Sequence, residues 1–235
     1  MKSLKSPSPS ETIESTLDVF DPSSRGILVG TSAIHWVLSA RDCKSNDLPL
    51  NDVDILVTQE DLEIIRDELL ESMCGRITSQ REGRFMVVPS HTAELLGAIS
   101  LDVMSDSDSY DSPLVHTKFM GRVFARDSNL EQYTAETEGR RHLTLPFIFW
   151  WKAAIGRSSD MSTNQKGLRI MLESGSFFAN EYHAIARAIE LGSSGYDMSG
   201  HFTYSSDPQE SAEQEQNIPP IYLGAPQRPI VEPNS

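Results

Sequence analysis

The sequence predicts an α/β chain in which short apolar strands alternate with helices, followed by helices alone and then by a stretch without apolar periodicity. Three observations support this. Ile27-Leu28-Val29 is an apolar run that stops at Gly30 and restarts as a helical pattern. Asn51-Asp52-Val53-Asp54-Ile55-Leu56-Val57 is an apolar strand carrying two acids at i and i+2. Leu143 to Ile155 is a dense apolar run that opens the helical part.

Residues 1–10 are dominated by Ser, Pro and Lys and read as a mobile tail. Ile13, Leu17 and Phe20 then recur at helical spacing within Glu11–Phe20. Asp21-Pro22 ends that helix, because a residue before proline is pushed out of helical geometry. Ile27–Val29 is a buried strand, Gly30-Thr31-Ser32 a turn, and Ala33–Ala40 a buried helix. Arg41–Leu50 is polar and loop-like. Leu50–Val57 is the acid-bearing strand, and Thr58 caps a helix running to about Met73, with Asp61 three residues on. Gly75 suits the end of that helix.

Arg84–Val88 and Ile99–Met104 read as strands, the second carrying Asp102, and Lys118–Ala125 as one more. Ser105–Ser112 is a Ser/Asp run expected to be a solvated loop. Thr144 caps the next helix, Pro146 suits its first turn, and Gly156 and Arg157 close it. Two further helices are expected over Asn164–Glu173, ended by Gly175, and Ala179–Leu191, with Gly192 just past its end. The organisation is therefore a tail (1–10), a core (11–126), a helical region packed on it (127–193) and an acidic, Pro-rich, disordered tail (194–235). Ile218–Leu223 is the one stretch of that tail suited to docking in extended form.

Composition narrows the partners. The chain of 235 residues carries 20 Lys+Arg against 34 Asp+Glu, a formal charge of −14. That argues against a long nucleic acid, whose non-specific binding depends on neutralising phosphates. Two cysteines, Cys43 and Cys74, form neither a disulfide framework nor a zinc pattern. Residues 1–10 lack the apolar core of a signal peptide, and Lys152 interrupts the most apolar run, so no membrane span is expected. The expected setting is the cytoplasm, with the nucleus as the alternative.

In a strand, side chains at i and i+2 share a face, so Asp52 and Asp54 sit side by side. Burying such a pair is costly unless a cation or hydrogen bonds compensate it. An isolated D-x-D is as well explained by a strand end or a loop cap; the nearby glycine turn changes that balance. If the strands carrying Val53 and Val103 are neighbours, Asp52, Asp54 and Asp102 converge, and three hard oxygen donors suit Mg²⁺ or Mn²⁺. Gly30 lets the backbone approach a ligand, and a helix N-terminus offers free N–H groups to phosphate. Ser32 adds a hydroxyl.

A strand, a Gly-Thr-Ser-Ala turn into a helix, Asp-x-Asp in the next strand and a lone Asp in a later one resemble the nucleotidyltransferase superfamily, which includes polymerase-beta-like and minimal nucleotidyltransferases. The resemblance spans roughly Glu11–Glu173, on few motif positions. It implies a small mixed sheet flanked by helices with a helical region after it. It implies phosphate contacts at Gly30, Thr31 and Ser32, and catalytic metal ligands at Asp52, Asp54 and Asp102, the last also acting as base. Leu145-Pro146-Phe147-Ile148-Phe149-Trp150-Trp151-Lys152 is similar to the family's Leu-Pro-x-x-x-x-x-Lys helix, which implies phosphate contact at Lys152.

Departures are the β-branched Thr31 at the second small position, Asn51 where relatives carry Thr or Ser, and Lys166-Gly167 where Lys-Asp is common. Each notable residue also has a plainer reading. Lys152 can snorkel at a core edge, His35 can be a hydrogen-bonded core residue, and Trp150 and Trp151 can be core. Arg140, Arg141 and His142 fit a solvated helix end.

The expected function is metal-dependent transfer of a nucleoside monophosphate from a nucleoside triphosphate to a hydroxyl on a small molecule or protein. The alternative is a catalytically inactive nucleotide-binding or protein-interaction module of the same fold.

Overall fold

A computed structural model of the chain describes residues 7–43, 45, 47–81, 83–105, 134–155, 158–174 and 179–193. The expected strand at Lys118–Ala125, the Ser/Asp run beyond Ser105, Gly156, Arg157, Gly175 and everything after Ser193 lie outside the described residues.

The first helix, α1 (Pro9–Phe20), begins inside the stretch read as a tail. Its reason is local: Ser8 accepts the Glu11 N–H while the Glu11 carboxylate accepts the Ser8 N–H, with Pro9 opening the helix. Strand β1 (Ile27–Val29) leads directly into α2 (Gly30–Ala40), and β2 (Asp52–Val57) into α3 (Gln59–Ser72), capped by Thr58. Met73, not Gly75, takes the left-handed position that ends α3. Gly75 instead starts β3 (Gly75–Arg81), a strand absent from the sequence-based expectation, where a side chain would run into Val87 and Phe20. It pairs with β4 (Arg84–Pro89); a short helix α4 (His91–Leu95) and β5 (Ser100–Ser105) follow.

The stretch Thr134–Leu143, expected in the helical region, is a hairpin of β6 (Thr134–Thr137) and β7 (Arg140–Leu143). Its two-residue turn, Glu138-Gly139, has positive φ at both positions, the geometry that matches strand twist. Arg140, Arg141 and His142 are therefore strand residues rather than a helix end. Three helices complete the described chain: α5 (Leu145–Ile155), α6 (Ser158–Ser174) and α7 (Ala179–Ser193). The sixth starts six residues before the expected Asn164, and Gly192 lies inside the seventh.

The seven strands form one mixed sheet in the order β3-β4-β5-β2-β1-β7-β6. The pairs β2–β5 and β1–β7 are parallel and the other four antiparallel. Helices flank it: α2 packs on β1 and β2, α3 on β2, β3 and β5, and α5 on α2, α6 and α7. Val53, Ile55, Leu101 and Val103 are fully buried in the sheet, and Phe147, Ile148, Phe149 and Trp150 of α5 belong to the same apolar cluster. No described helix is long and apolar enough to cross a membrane.

Candidate active site

The site is built where β1 ends and β2 begins. Gly30 carries φ +63° and is buried, and the Val29 side chain makes no capping hydrogen bond at the start of α2. A Cβ at Gly30 would fall on the Asp54 carboxylate, so only glycine lets the turn pass the acid strand. The left-handed conformation falls on Gly30 alone, and Thr31, partly buried, meets no positive-φ requirement. Ser32 is fully buried. Its Oγ donates to the Val29 carbonyl at 2.7 Å and accepts the Asp54 N–H at 3.2 Å. The hydroxyl expected to reach phosphate is thus spent clasping the turn to β2.

Sheet register places the acids. Asp54 of β2 lies opposite Val29 on one side and Asp102 of β5 on the other. Asp52 lies on the same face two residues earlier, opposite Ser100. Burial raises the Asp54 carboxyl to about 8, and the charges of Asp52 and Asp102 push it the same way. The positive charges of Lys152 and Arg84 act in the opposite direction. The structure therefore gathers Gly30, Asp52, Asp54, Asp102 and Lys152. Lys152 is buried in the last turn of α5, close enough to act on Asp54, rather than snorkelling from a core edge into open solvent.

Arg84 was not anticipated. It opens β4, diagonal to Asp102 across the ladder in which Arg84 opposes Met104 and Met86 opposes Asp102. Its Nε donates to Asp102 Oδ1 at 2.9 Å and a terminal nitrogen donates to Oδ2, a bidentate pair. Nothing in the sequence around Arg84 marks this role, because it depends on which strand lies next to which.

The fit to a divalent cation is divided. The carboxylates of Asp52 and Asp54 are hard donors, and Asp54 holds its proton chiefly because it is buried, with the charges of Asp52 and Asp102 acting the same way. Asp102, however, has both oxygens on Arg84. As they stand, no group of three His, Cys, Asp or Glu side chains among the described residues is placed to hold a metal ion. Asp52 and Asp54 offer oxygen donors from one face of β2, whereas Asp102 is committed to Arg84.

Other residues weighed in the sequence are structural. His35 is fully buried, with Nδ1 2.8 Å from Ser45 Oγ, and burial lowers it to about 4, which suits a neutral clip on the 41–50 loop. Trp150 and Trp151 are buried core residues. Gly167 has a packing reason: a Cβ there would stand 2.9 Å from the Phe149 ring. Asn164 of the same helix donates to the Phe149 carbonyl at 3.1 Å, so α6 seats tightly on α5. A side chain at position 167 would have to displace that ring.

No family model and no curated protein sequence matches the chain. Among solved structures, the crystal structure of the Megavirus polyadenylate synthase is similar, with a TM-score of 0.42 and 12% identity over 72% of this chain. The chain spans 32% of the length of that structure.

Proposed function

We propose that this chain is a nucleotidyltransferase-fold protein that moves a nucleoside monophosphate from a nucleoside triphosphate to a hydroxyl, with Mg²⁺ or Mn²⁺ as cofactor. The observation that carries the reading is the register of β1, β2 and β5. It sets Asp54 beside the Gly30 turn on one side and Asp102 on the other. A helix start with free N–H groups then neighbours an acid cluster, which supports reading the pair as a phosphate and cation site.

A divalent cation, when bound, neutralises the triphosphate and polarises the attacking hydroxyl. Asp52 and Asp54 would hold the cation through their carboxylate oxygens, Asp54 losing its proton to solvent. Backbone N–H groups at Gly30 and Thr31 hold phosphate, and Lys152 adds positive charge. Asp102, once released by Arg84, would accept the hydroxyl proton as the acceptor oxygen bonds the α-phosphorus, the bond from that phosphorus to the bridging oxygen breaks and pyrophosphate leaves. A small molecule or a protein side chain suits the −14 chain better as acceptor than a long nucleic acid does.

The second reading is a nucleotide-binding or protein-interaction module without catalysis. The occupation of Asp102 by Arg84 favours it. Calorimetry with ATP and Mg²⁺ or Mn²⁺ on the wild type and Asp54→Ala is the first test. Metal-dependent binding abolished by Asp54→Ala, followed by label transfer from a triphosphate to an acceptor, is the expected outcome. Binding indifferent to Asp54 would remove the transferase reading and leave the interaction module.

A further inference from the structure

We propose that the cleft between the first two turns of α3 and the facing ends of β3 and β4 binds a small neutral heterocycle of nucleobase type. Its volume is about 300 Å³.

The sheet separates this cleft from the acids. Asp102 pairs with Met86 across the β4–β5 ladder, and Val103 pairs with Phe85 in the next step along. Successive strand residues alternate faces, so Phe85 stands on the face opposite Asp102. Gln80 of β3 pairs with Phe85 and shares its side. Phe85 and Gln80 line the cleft from the sheet, and Gln59, Leu62, Glu63 and Arg66 line it from α3. Its ligand is therefore not the triphosphate of the reaction proposed above.

Size and lining select the ligand. Small-molecule sites run from about 300 to 1,000 Å³, so this one takes a ring system rather than a whole nucleotide. Leu62 and Phe85 are buried apolar side chains and give a floor for a flat ring face. The α3 wall is already ordered. Ser105 Oγ donates to Gln59 Oε1 at 2.8 Å, and Gln59 Nε2 donates to Glu63 Oε1 at 2.8 Å. Glu63 Oε2 pairs with Arg66, which also donates to Asp67 Oδ1 from Nε at 3.3 Å and from Nη2 at 3.2 Å.

Across from that wall, the Gln80 side chain is exposed and makes no hydrogen bond to a described residue. A carboxamide both donates and accepts, which suits the mixed donor and acceptor edge of a nucleobase. Charge selects against a phosphate. Two carboxylates, Glu63 and Asp67, already share the Arg66 guanidinium, so an anion gains little there.

The probes are adenosine and cytidine, which present such a ring with the ribose left in solvent, and AMP as the anionic comparison. Each is titrated into the full chain without metal and followed by ligand-observed NMR. Millimolar or tighter binding of at least one nucleoside is expected, with AMP roughly fivefold weaker, the effect of one like charge at close range in water. Gln80→Ala should weaken the nucleoside roughly three- to tenfold, the size of one neutral hydrogen bond. Gln80→Trp should fill the cleft and abolish binding, with an unchanged thermal melt because the position is exposed. Asp54→Ala should bind the nucleoside as wild type does, which separates the cleft from the acid site. No nucleoside binding by wild type, binding lost in Asp54→Ala, or full binding retained by both Gln80 variants overturns the assignment. AMP binding as tightly as the nucleosides overturns the neutral class of ligand.

Discussion

At the scale of single residues, Asp54 is the most informative position. Its carboxyl is raised to about 8 by burial and by Asp52 and Asp102, against an ordinary value of 3.8. The folded chain therefore holds this proton more tightly than the unfolded chain does, and stability from this group falls as pH rises from about 4 towards 8. Asp54→Asn removes the penalty. It should raise the melting temperature at pH 8 by at least roughly 2–4 °C, about 1 kcal/mol for a chain of this size, and change little at pH 4. Thermal melts at both pH values check this; equal shifts would show that Asp54 is not strained by its neighbours. The acids themselves were legible in the sequence as Asp-x-Asp and a later lone Asp. Their partner Arg84 was not, since a strand-opening arginine carries no local mark of the neighbouring strand whose acid it pairs with.

At the scale of elements, the β1–α2 junction depends on Gly30. Gly30→Ala places a side chain in a left-handed conformation and against the Asp54 carboxylate at once. A destabilisation of about 1–3 kcal/mol is expected, together with loss of ATP binding. Gly139 is the matched control: it has φ +73° with nothing within 4 Å of an added Cβ. Gly139→Ala should carry only the conformational cost and leave ligand binding intact. Denaturant melts and calorimetry on both variants separate strain from site; equal ligand affinity in the two would remove Gly30 from the phosphate site.

The strongly patterned elements, β1, α2, β2, α3 and α5, were readable because their burial is encoded locally. Strands β3, β6 and β7 were not. β3 has one apolar residue, Ile77, and lies at the sheet edge. β6 and β7 are four residues each and gain strand character from pairing and from the parallel contact of Leu28 with His142.

At the scale of the molecule, α5 joins the two parts that the sequence separates. Its aromatic face and the interior strands share one apolar cluster, and Trp36 Nε1 of α2 donates to the Thr137 carbonyl of the hairpin at 2.9 Å. The sheet and the helices after it should therefore unfold together. Trp150→Ala removes a fully buried ring and should cost about 3–5 kcal/mol. Far-ultraviolet circular dichroism and tryptophan fluorescence should still report one coincident transition. Two separated transitions would mean that the helical part is an independent unit.

The sequence by itself determined the alternation of strands and helices, the glycine after β1 and the Asp-x-Asp pair on one strand face, because each is written in spacing along the chain; Lys152 entered only through the family resemblance, and the place of Asp102 beside Asp54 waited on the strand order. Only the tertiary structure decided the seven-strand order, the commitment of the Ser32 hydroxyl to backbone, the packing role of Gly167 and the hold of Arg84 on Asp102. Each of these is a contact between residues far apart in the chain, set by which strand and helix come to lie side by side, and spacing alone carries no record of that.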